Sequence, residues 1–514
     1  PISLACLAAA PTSMQRLLQP SAGPRRALSA CRVRAISYLS TRGGDSGLAF
    51  GDAVIQGLGT DKGLLVPERV PTFTPVQLEG WRGQPFQVIA HDVMRMYLSE
   101  EEVSSAALKQ IIDKSYSTFR DPRVTPVEPL VDGLYVLELF HGPTFAFKDV
   151  ALQFLGNLFE HLLEKRPGKK LTVVGATSGD TGSSAIQGLR GKKGVECFIM
   201  YPDGKTSPIQ EQQMITVLDP NVHNIALDGT FDDCQRVVKS LFADADFRKQ
   251  HSLAAVNSIN WARILAQTVY YIYAYLQVTK PPLAGAAPQK VSFSVPTGNF
   301  GDILAGWYAK QMGLPVEQFV VATNENDILH RFWTSGDYST SSVRPTLSPS
   351  MDIQISSNFE RFLFHMGGES TADLRKLMDG FEASGKLEPS GALLEACRAQ
   401  MVSERVADAD ILKTIADVHK RLGGYTLDPH SAIGVAAAKQ HLAKAGGSAE
   451  TPMVCLACAH WAKFKDAVGS ALGPEKVSYM ALPEPLASLH TLETRVKKLP
   501  NSTEAVQAFI RETV

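Results

Sequence analysis

The sequence lacks an excess of charge of either sign. Its 514 residues carry 51 Lys and Arg against 52 Asp and Glu, which leaves a formal net charge of −1. A chain this close to neutral has no global field that would attract nucleic acid or an anionic membrane surface. We therefore expect neither nucleic acid nor a membrane as a partner. We also expect a small-molecule substrate and a monomer or homodimer.

Cysteine is scarce and long apolar runs are missing. Seven cysteines, an odd number spread over the chain, argue against a disulfide framework and for a reducing compartment. The most apolar long stretch, 264–278, includes glutamines, a threonine and four tyrosines. It is too short and too polar to span a bilayer, so we predict a buried helix there. The length suits two or three domains with a large core.

Acidic residues are missing from positions 1–44, where six arginines are scattered among Ser, Ala and Leu. Arg-rich, Ser-rich and acid-free N-termini are typical of organelle transit peptides, and a disordered tail without function is the alternative. A secretory signal is disfavoured because the apolar segment precedes the first arginine. We predict a transit peptide over 1–37 and a chloroplast (plastid stroma) destination, with Val33-Arg34-Ala35 as the processing point. A mitochondrial address is the alternative.

Beyond this segment, short apolar strands alternate with helical patterns. Apolar residues recur every four positions from Val150 to Leu162, which predicts a helix. The predicted strands are 134–140, 171–175, 195–200, 222–227, 291–295 and 319–322. This βα alternation predicts an α/β fold with mostly parallel sheets and helices on both faces.

One lysine follows a run of aromatic and small residues. The segment 141–149 reads His-Gly-Pro-Thr-Phe-Ala-Phe-Lys-Asp, with Lys148 at the expected start of a helix. Burial among aromatic side chains disfavours the ammonium form and lowers the pKa of a lysine. A neutral amine is what a Schiff base with an aldehyde cofactor requires. The simpler alternative is a surface lysine that opens a helix.

Two Gly-rich loops lie between a predicted strand and a predicted helix. Residues 175–182 read Gly-Ala-Thr-Ser-Gly-Asp-Thr-Gly, and 296–302 read Pro-Thr-Gly-Asn-Phe-Gly-Asp. Backbone N–H groups of such loops converge on an anion, and the following helix N-terminus adds its dipole. The alternatives are a tight turn for the first loop and helix capping by Asp302 in the second. Two cradles suggest two anions, a cofactor phosphate and a substrate carboxylate or phosphate.

Five segments together resemble the threonine synthases of fungi and bacteria. They are 141–149, 175–182, 208–211, 257–263 and 298–302, which read HGPTFAFKD, GATSGDTG, PIQE, NSINWAR and GNFGD. The resemblance extends from about residue 40 to about residue 472. It implies pyridoxal phosphate as cofactor and the fold type II architecture shared with tryptophan synthase β chains.

The resemblance also implies roles for individual residues and no metal. Lys148 would be the catalytic, cofactor-bound lysine. The cofactor phosphate would be held by Gly298, Asn299, Phe300, Gly301 and Asp302. The residues expected to face the substrate are Thr177, Ser178, Gly179, Asp180, Thr181 and Arg263. Lys205 is a weaker candidate for substrate phosphate, and Arg42 is placed at the site by analogy alone.

We expect the domains to follow the same resemblance. An N-terminal subdomain would span 38–130, and an α/β domain with Lys148 and the substrate loop would span 131–285. A second α/β domain that binds the cofactor phosphate would span 286–485, with a helical insertion near 337–391. Residues 486–514 would form a C-terminal extension.

One position departs from the family pattern. The family has Thr-Ala-His-Pro-Ala-Lys-Phe near its end, whose threonine meets the cofactor's pyridine nitrogen, whereas residues 458–464 here read Cys-Ala-His-Trp-Ala-Lys-Phe. The thiol of Cys458 is a weaker hydrogen-bond partner than a hydroxyl but is also neutral. Cys455 and Cys458 form a Cys-x-x-Cys pair, and without a second pair a metal or redox role is disfavoured.

The expected activity is conversion of O-phospho-L-homoserine and water to L-threonine and phosphate by γ-elimination and β-addition, the last step of threonine biosynthesis. A phospho-lyase that releases 2-oxobutyrate, ammonia and phosphate is the alternative, because the two reactions share every step up to elimination. A non-catalytic binding protein of the same fold is a third hypothesis, against which the intact Lys148 and both Gly-rich loops argue.

Overall fold

The computed structural model describes residues 35–283, 285–444 and 451–514. Within them, residues 36–514 form one compact unit. The strands, in chain order, are Tyr38–Ser40 (β1), Leu65–Pro67 (β2), Val127–Pro129 (β3), Leu134–Glu138 (β4), Leu171–Ala176 (β5), Val195–Pro202 (β6), Val222–Leu227 (β7), Leu253–Ala254 (β8), Val291–Pro296 (β9), Val316–Thr323 (β10), Tyr338–Ser339 (β11), Lys386–Leu387 (β12), Met401–Arg405 (β13), Met453–Ala457 (β14) and Lys497–Leu499 (β15).

The α-helices of the described residues run from α1 to α21. In chain order they are Phe50–Gln56, Pro75–Gly80, Phe86–Arg95, Ser105–Tyr116, Lys148–Glu164 (α5), Asp180–Leu189, Pro208–Ile215, Phe231–Ala243, Ala245–Gln250, Trp261–Val278 (α10), Gly301–Met312, Ile328–Ser335, Phe359–Met366, Thr371–Ser384, Gly391–Arg398 (α15), Asp408–Arg421, Pro429–Lys444, Lys465–Leu472, Pro474–Ser478, Glu484–Ala487 (α20) and Thr503–Thr513. Short 3-10 helices cover Val131–Gly133, Pro349–Met351, Trp461–Phe464 and Leu489–Thr491.

Two sheets organise the molecule. The first has six strands in the order β13-β10-β9-β14-β4-β3, and the second has five in the order β15-β7-β6-β5-β8. All neighbours are parallel except β3, which runs antiparallel to β4. The predicted α/β class and its parallel strands are therefore confirmed.

Helix α5 is almost wholly buried and packs against α6, α10 and α4. The predicted stripe from Val150 to Leu162 lies on this helix. Glycines let α5 and α6 approach closely, because a Cβ on Gly156 would lie 1.9 Å from the carbonyl oxygen of Gly188. This contact brings the middle of α5 against the end of α6.

Helix α10 is the buried helix predicted for the apolar stretch 264–278. It begins earlier than predicted, at Trp261, and Asn260 caps it by accepting a hydrogen bond from the N–H of Ala262 at 3.1 Å. It packs against α3, α5 and α11. In the described residues no helix is long and apolar enough to cross a membrane.

Candidate active site

The candidate site lies where parallel strands of the two sheets end. Strands β9, β14 and β4 are neighbours in the six-stranded sheet, so their carboxyl ends meet at one edge. The chain leaving β9 forms the loop 297–302, the chain leaving β14 begins with Cys458, and the chain leaving β4 leads to Lys148. The loop after β5 brings Asp180 from the second sheet. Ligands of open α/β sheets bind at such strand ends.

Lys148 is the first residue of α5 and is buried. Its ammonium nitrogen lies 4.6 Å from the ring centre of Phe147 and 3.7 Å from Asp180 Oδ2. Burial lowers the pKa of Lys148, as predicted, and the nearby cations Lys463 and Arg263 lower it further, while Asp180 opposes them. These effects make the neutral amine easier to reach at Lys148 than at an exposed lysine.

The carboxylate of Asp180 is the anionic group of the site. It is bound by the ammonium group of Lys463 at 2.6 Å and by the side-chain amide of Gln210 at 2.8 Å, both at Oδ1. Burial alone would raise the pKa of Asp180, but Lys463 and Lys148 hold it well below its usual range. Because this carboxylate is already paired, Asp180 has only its backbone N–H to offer to an anionic substrate.

The loop 175–182 is shaped by its own side chains. The hydroxyl oxygen of Thr177 accepts the N–H groups of Gly179 at 2.9 Å and Gly182 at 2.8 Å, so Thr177 supports the turn from inside. Gly179 has a φ of 145°, and a Cβ there would lie 2.4 Å from Gln210. Ser178 and Thr181 are partly exposed, and their hydroxyls make no hydrogen bond to the described residues. Those two hydroxyls are therefore the free donors of this loop.

The loop 297–302 presents unbonded backbone donors. Within the described residues, no protein group accepts the N–H groups from Gly298 to Asp302. They surround the start of α11, where the helix dipole favours an anion. Phe300 has φ 61° and ψ 0°, a left-handed conformation that is unusual for a bulky residue and is held by its buried ring. The loop has the features of a phosphate cradle.

A segment that we call the strap, residues 346–358, holds the carbonyl groups of this loop. The Ser356 hydroxyl donates to the carbonyl of Gly298 at 2.6 Å. The backbone and side-chain amides of Asn358 donate to the carbonyl of Asn299 at 3.1 and 3.0 Å. Because the carbonyls point to the strap, the loop's N–H groups are left for a ligand.

Asp302 does not cap helix α11, contrary to the capping alternative. Its Oδ1 accepts hydrogen bonds from the hydroxyls of Tyr270 at 2.5 Å and Tyr271 at 2.8 Å. Its Oδ2 is buried without any partner, and burial raises the pKa of Asp302 to about 6. A carboxylate repels phosphate, so only the backbone N–H of Asp302 suits the phosphate cradle, while Oδ2 is available for another polar group.

Arg263 is a buried cation without a carboxylate partner among the described residues. One guanidinium nitrogen donates to the carbonyl of Val256 at 2.9 Å, and Nε has no hydrogen bond. Burial lowers the pKa of Arg263 to about 10. A buried guanidinium with free donors is suited to an anionic ligand.

Cys458 begins the segment after β14 and is buried. Its N–H donates to the Ser431 hydroxyl at 2.9 Å, and its carbonyl accepts the N–H of Phe147 at 2.7 Å, next to Lys148. Burial raises the pKa of the Cys458 thiol well above its usual range, so the group is neutral. Among the described residues there is no group of three or more His, Cys, Asp or Glu side chains that could hold a metal ion.

Three other polar side chains, those of Arg42, Lys205 and His141, have partners of their own. The guanidinium of Arg42 pairs with Glu360 at 2.9 Å and Glu382 at 2.6 Å. The Lys205 ammonium is exposed and donates to the carbonyl of Gly229 at 2.9 Å. The imidazole of His141 is hydrogen-bonded to Glu138 at 2.8 Å.

Sequence reasoning missed the partners of the predicted residues. Lys463 lay in a quoted motif but was given no role, and Tyr270 and Tyr271 were counted only as part of an apolar helix. The one available signal was a lysine inside an otherwise apolar run, Trp-Ala-Lys-Phe.

The site fits pyridoxal phosphate. That cofactor needs an amine for its aldehyde, donors for its phosphate and a polar neighbour for its ring nitrogen. Lys148 offers the first and the unbonded N–H groups of 298–302 the second. The unpartnered Oδ2 of Asp302 and the neutral thiol of Cys458 are polar groups whose electrostatic interactions with Lys148 place them near it.

Comparison with known proteins agrees with this assignment. Family models match residues 37–116 (threonine synthase N terminus), 121–459 (pyridoxal-phosphate dependent enzyme) and 431–510 (threonine synthase, C-terminal). Threonine synthase of Schizosaccharomyces pombe is 50% identical over 85% of this chain and 89% of its own. That of Pseudomonas aeruginosa is 48% identical over 92% of this chain and 98% of its own.

Solved structures show the same fold. A crystal structure of pyridoxal phosphate-bound threonine synthase from Brucella melitensis has a TM-score of 0.86 at 44% identity, and covers 93% of this chain and 99% of its own. Yeast threonine synthase also has a TM-score of 0.86 at 44% identity, over 93% of this chain and 98% of its own. The chain therefore belongs to the threonine synthase family, whose members are pyridoxal phosphate-dependent lyases of fold type II.

Proposed function

We propose that this chain converts O-phospho-L-homoserine and water to L-threonine and phosphate, as the last step of threonine biosynthesis. The observation that carries the proposal is a buried lysine whose pKa is lowered, next to a loop with unbonded backbone donors and near a buried arginine without a counter-ion. This arrangement suits one amine-reactive cofactor and a doubly anionic substrate.

The cofactor would be held by Lys148, by the backbone N–H groups from Gly298 to Asp302, and by Cys458. When bound, pyridoxal phosphate supplies an electron sink for the charge that develops as the substrate loses its α proton. The strap keeps the loop's carbonyls turned away from the phosphate, which would otherwise meet their negative dipoles.

The substrate carries a carboxylate and a phosphate. We propose that the N–H groups and hydroxyls of Ser178 and Thr181, with the N–H of Asp180, bind one of them at the start of α6. Thr177 and Gly179 shape that loop. Arg263, whose Nε has no partner, would bind the other anion as a charge-assisted donor.

Lys148 would also move protons. Its neutral amine would take the proton from the substrate's α carbon, and burial of this amine keeps bulk water from competing for it. In the net reaction a second proton leaves the β carbon, and the C–O bond at the γ carbon breaks with its electron pair leaving on phosphate. The hydroxyl of water then adds at the β carbon, two protons return to the α and γ carbons, and the remaining proton of water goes to the released phosphate.

A Lys148→Ala variant tests the role of the lysine. It should lose turnover and the absorbance of the attached cofactor, and borohydride reduction of the wild-type protein should fix the cofactor on the peptide that contains Lys148. Lys165→Ala, which changes an exposed lysine directly after the other end of α5, is the matched control and should keep both. Full turnover in Lys148→Ala would refute the assignment.

Product analysis separates the two reactions. Threonine with an equimolar amount of phosphate supports the synthase. Phosphate with 2-oxobutyrate and no threonine would instead make the protein a phospho-lyase.

We also propose that residues 1–37 direct the protein to the plastid stroma. Residues 1–34 lie outside the described residues, and the proposal rests on their arginine-rich, acid-free composition. A fluorescent protein fused behind residues 1–44 should enter plastids. Import into mitochondria or retention in the cytosol would contradict it.

A further inference from the structure

Lys463 is a second buried lysine in the site, and it has no role in the reaction proposed above. It lies in the 3-10 helix Trp461–Phe464 after β14, and its side chain has no exposed surface. Burial of an ammonium group costs free energy, because the group loses its hydration. Its contacts show what compensates for that cost.

The Lys463 ammonium joins three separate segments. It lies 2.6 Å from Asp180 Oδ1 on α6 and donates to the carbonyl of Thr144 at 2.8 Å. Thr144 belongs to the segment that leads into Lys148. One cation, on the segment that follows a strand of the six-stranded sheet, thus contacts two groups. They are the Asp180 carboxylate, which follows a strand of the five-stranded sheet, and the backbone of the segment before Lys148.

The Asp180 carboxylate lies closer to Lys463 than to Lys148. Its Oδ1 is bound by Lys463 and by Gln210, whose amide oxygen in turn accepts the Ser207 hydroxyl at 2.8 Å. Its Oδ2 is 3.7 Å from the Lys148 nitrogen, which is more than 1 Å longer than the contact with Lys463. Lys148 and Asp180 are therefore neighbours without a close ion pair.

We propose that Lys463 is a positioning residue, which holds the Asp180 carboxylate and cancels its charge so that the Lys148 amine stays neutral and free to react. This inference rests on the proposed role of Lys148 as the cofactor-bound lysine. Without Lys463, the Asp180 carboxylate would face Lys148 with its charge uncompensated, and the two would form a close ion pair that keeps Lys148 protonated.

The other charged and titratable groups near this pair do not replace Lys463. The groups that interact electrostatically with Lys148 are Asp180, Lys463, Cys458, Arg263 and Asp302. The corresponding groups around Asp180 are Lys463, Lys148, His430 and the thiol of Cys458. The imidazole of His430 is already hydrogen-bonded to Asp428 at 2.8 Å, and Arg263 has no ion pair or hydrogen bond with Asp180. Lys463 is the cation besides Lys148 that contacts Asp180 directly.

The test measures how fast full-length protein stripped of cofactor captures pyridoxal phosphate between pH 6 and pH 10. Captured cofactor is fixed by borohydride and mapped to its lysine. A single opposite charge within about 4–6 Å moves a pKa by about 1–3. In Lys463→Met we expect the pH midpoint of capture to rise, and capture at pH 7 to slow by at least about tenfold.

Matched variants separate charge from structure. Lys463→Arg keeps the cation and should retain a midpoint near that of the wild type. Lys465→Met makes the same substitution two residues away, at a lysine without an ion pair in the described residues, and should not change it. The double variant Asp180→Asn with Lys463→Met removes both charges and should restore the midpoint.

Three outcomes would overturn the proposal. An unchanged midpoint in Lys463→Met would show that Lys463 is merely structural, and an unrestored midpoint in the double variant would show that it does not act through Asp180. Should Lys463→Met fail to fold, Asp180→Asn alone decides. A pH midpoint of capture that does not fall below that of the wild type in Asp180→Asn is the third outcome that would overturn the proposal. Cofactor fixed on a lysine other than Lys148 in the wild-type protein would instead refute the proposed function.

Discussion

Replacing Gly156 by alanine tests whether the contact between α5 and α6 positions the active-site lysine. The new Cβ would lie 1.9 Å from the carbonyl oxygen of Gly188, against 3.4 Å at which ordinary contact begins. The helices would therefore have to separate by about 1.5 Å, a backbone shift of the kind that costs about 1–3 kcal/mol or more. Alanine's advantage over glycine within a helix, about 0.5–1 kcal/mol, does not offset this.

The shift has a consequence for the site. Lys148 lies eight residues before Gly156 on the same helix, about 12 Å along its axis. Moving α5 away from α6 would lengthen the 3.7 Å separation between Lys148 and Asp180. We expect Gly156→Ala to melt at a lower temperature and to contain less cofactor than the wild-type protein after purification.

The control is another glycine within a helix. Gly380 lies in α14, and a Cβ there would meet nothing within 4 Å. Gly380→Ala should therefore be as stable as the wild type or more stable by up to about 1 kcal/mol. If thermal melting and cofactor absorbance gave the same values for Gly156→Ala and Gly380→Ala, the close helix contact would not position the site.

Three further predictions concern the site itself. Arg263→Gln should lower kcat/KM by about 10²-fold, because a charge-assisted hydrogen bond is worth about 1.5–3 kcal/mol. The melting temperature should change only slightly, because in the described residues the lost cation has no ion pair and makes one hydrogen bond, to the carbonyl of Val256. Steady-state kinetics that match the wild type would contradict this prediction. Asp302 has a folded-state pKa raised to about 6, so its contribution to stability is complete below its ordinary pKa of 3.8 and is lost as the pH rises through 6. Relative to Asp302→Asn, the cofactor-free wild type should thus lose about 3 kcal/mol between pH 4 and pH 7, measured by urea unfolding, and a constant difference would refute it. Cys458→Thr should bind the cofactor at least as tightly as the wild type, since a hydroxyl is also neutral and a better hydrogen-bond partner; weaker binding in an absorbance titration would show that the thiol has a specific role.

The site could be located from the sequence because its loops and its helix start are each specified by residues that are close together in the chain. Glycines and small residues between an apolar strand and a helix specify loops such as 175–182 and 297–302 over a few residues. The helix stripe from Val150 to Leu162 places Lys148 at a helix start. These features follow from periodicity and turn chemistry, which depend on neighbours in the chain.

The electrostatic partners could not be assigned in the same way. Lys463 and Asp180 are 283 positions apart, and Asp302 meets Tyr270 and Tyr271 across a gap of about thirty residues. Nothing in the sequence around Tyr270 and Tyr271 indicates that their hydroxyls bind the distant carboxylate of Asp302. The capping role weighed for Asp302 was wrong for this reason, because its carboxylate accepts hydrogen bonds from two buried tyrosine hydroxyls instead.

The sequence by itself determined the βα order, the parallel α/β class, the Gly-rich loops and the lysine that starts α5, because hydrophobic period and turn residues act locally. Only the tertiary structure decided the charge state of that lysine and of the carboxylates around it. A pKa depends on burial and on the charges a few ångströms away, and those neighbours come from strands that meet only after the two sheets have formed.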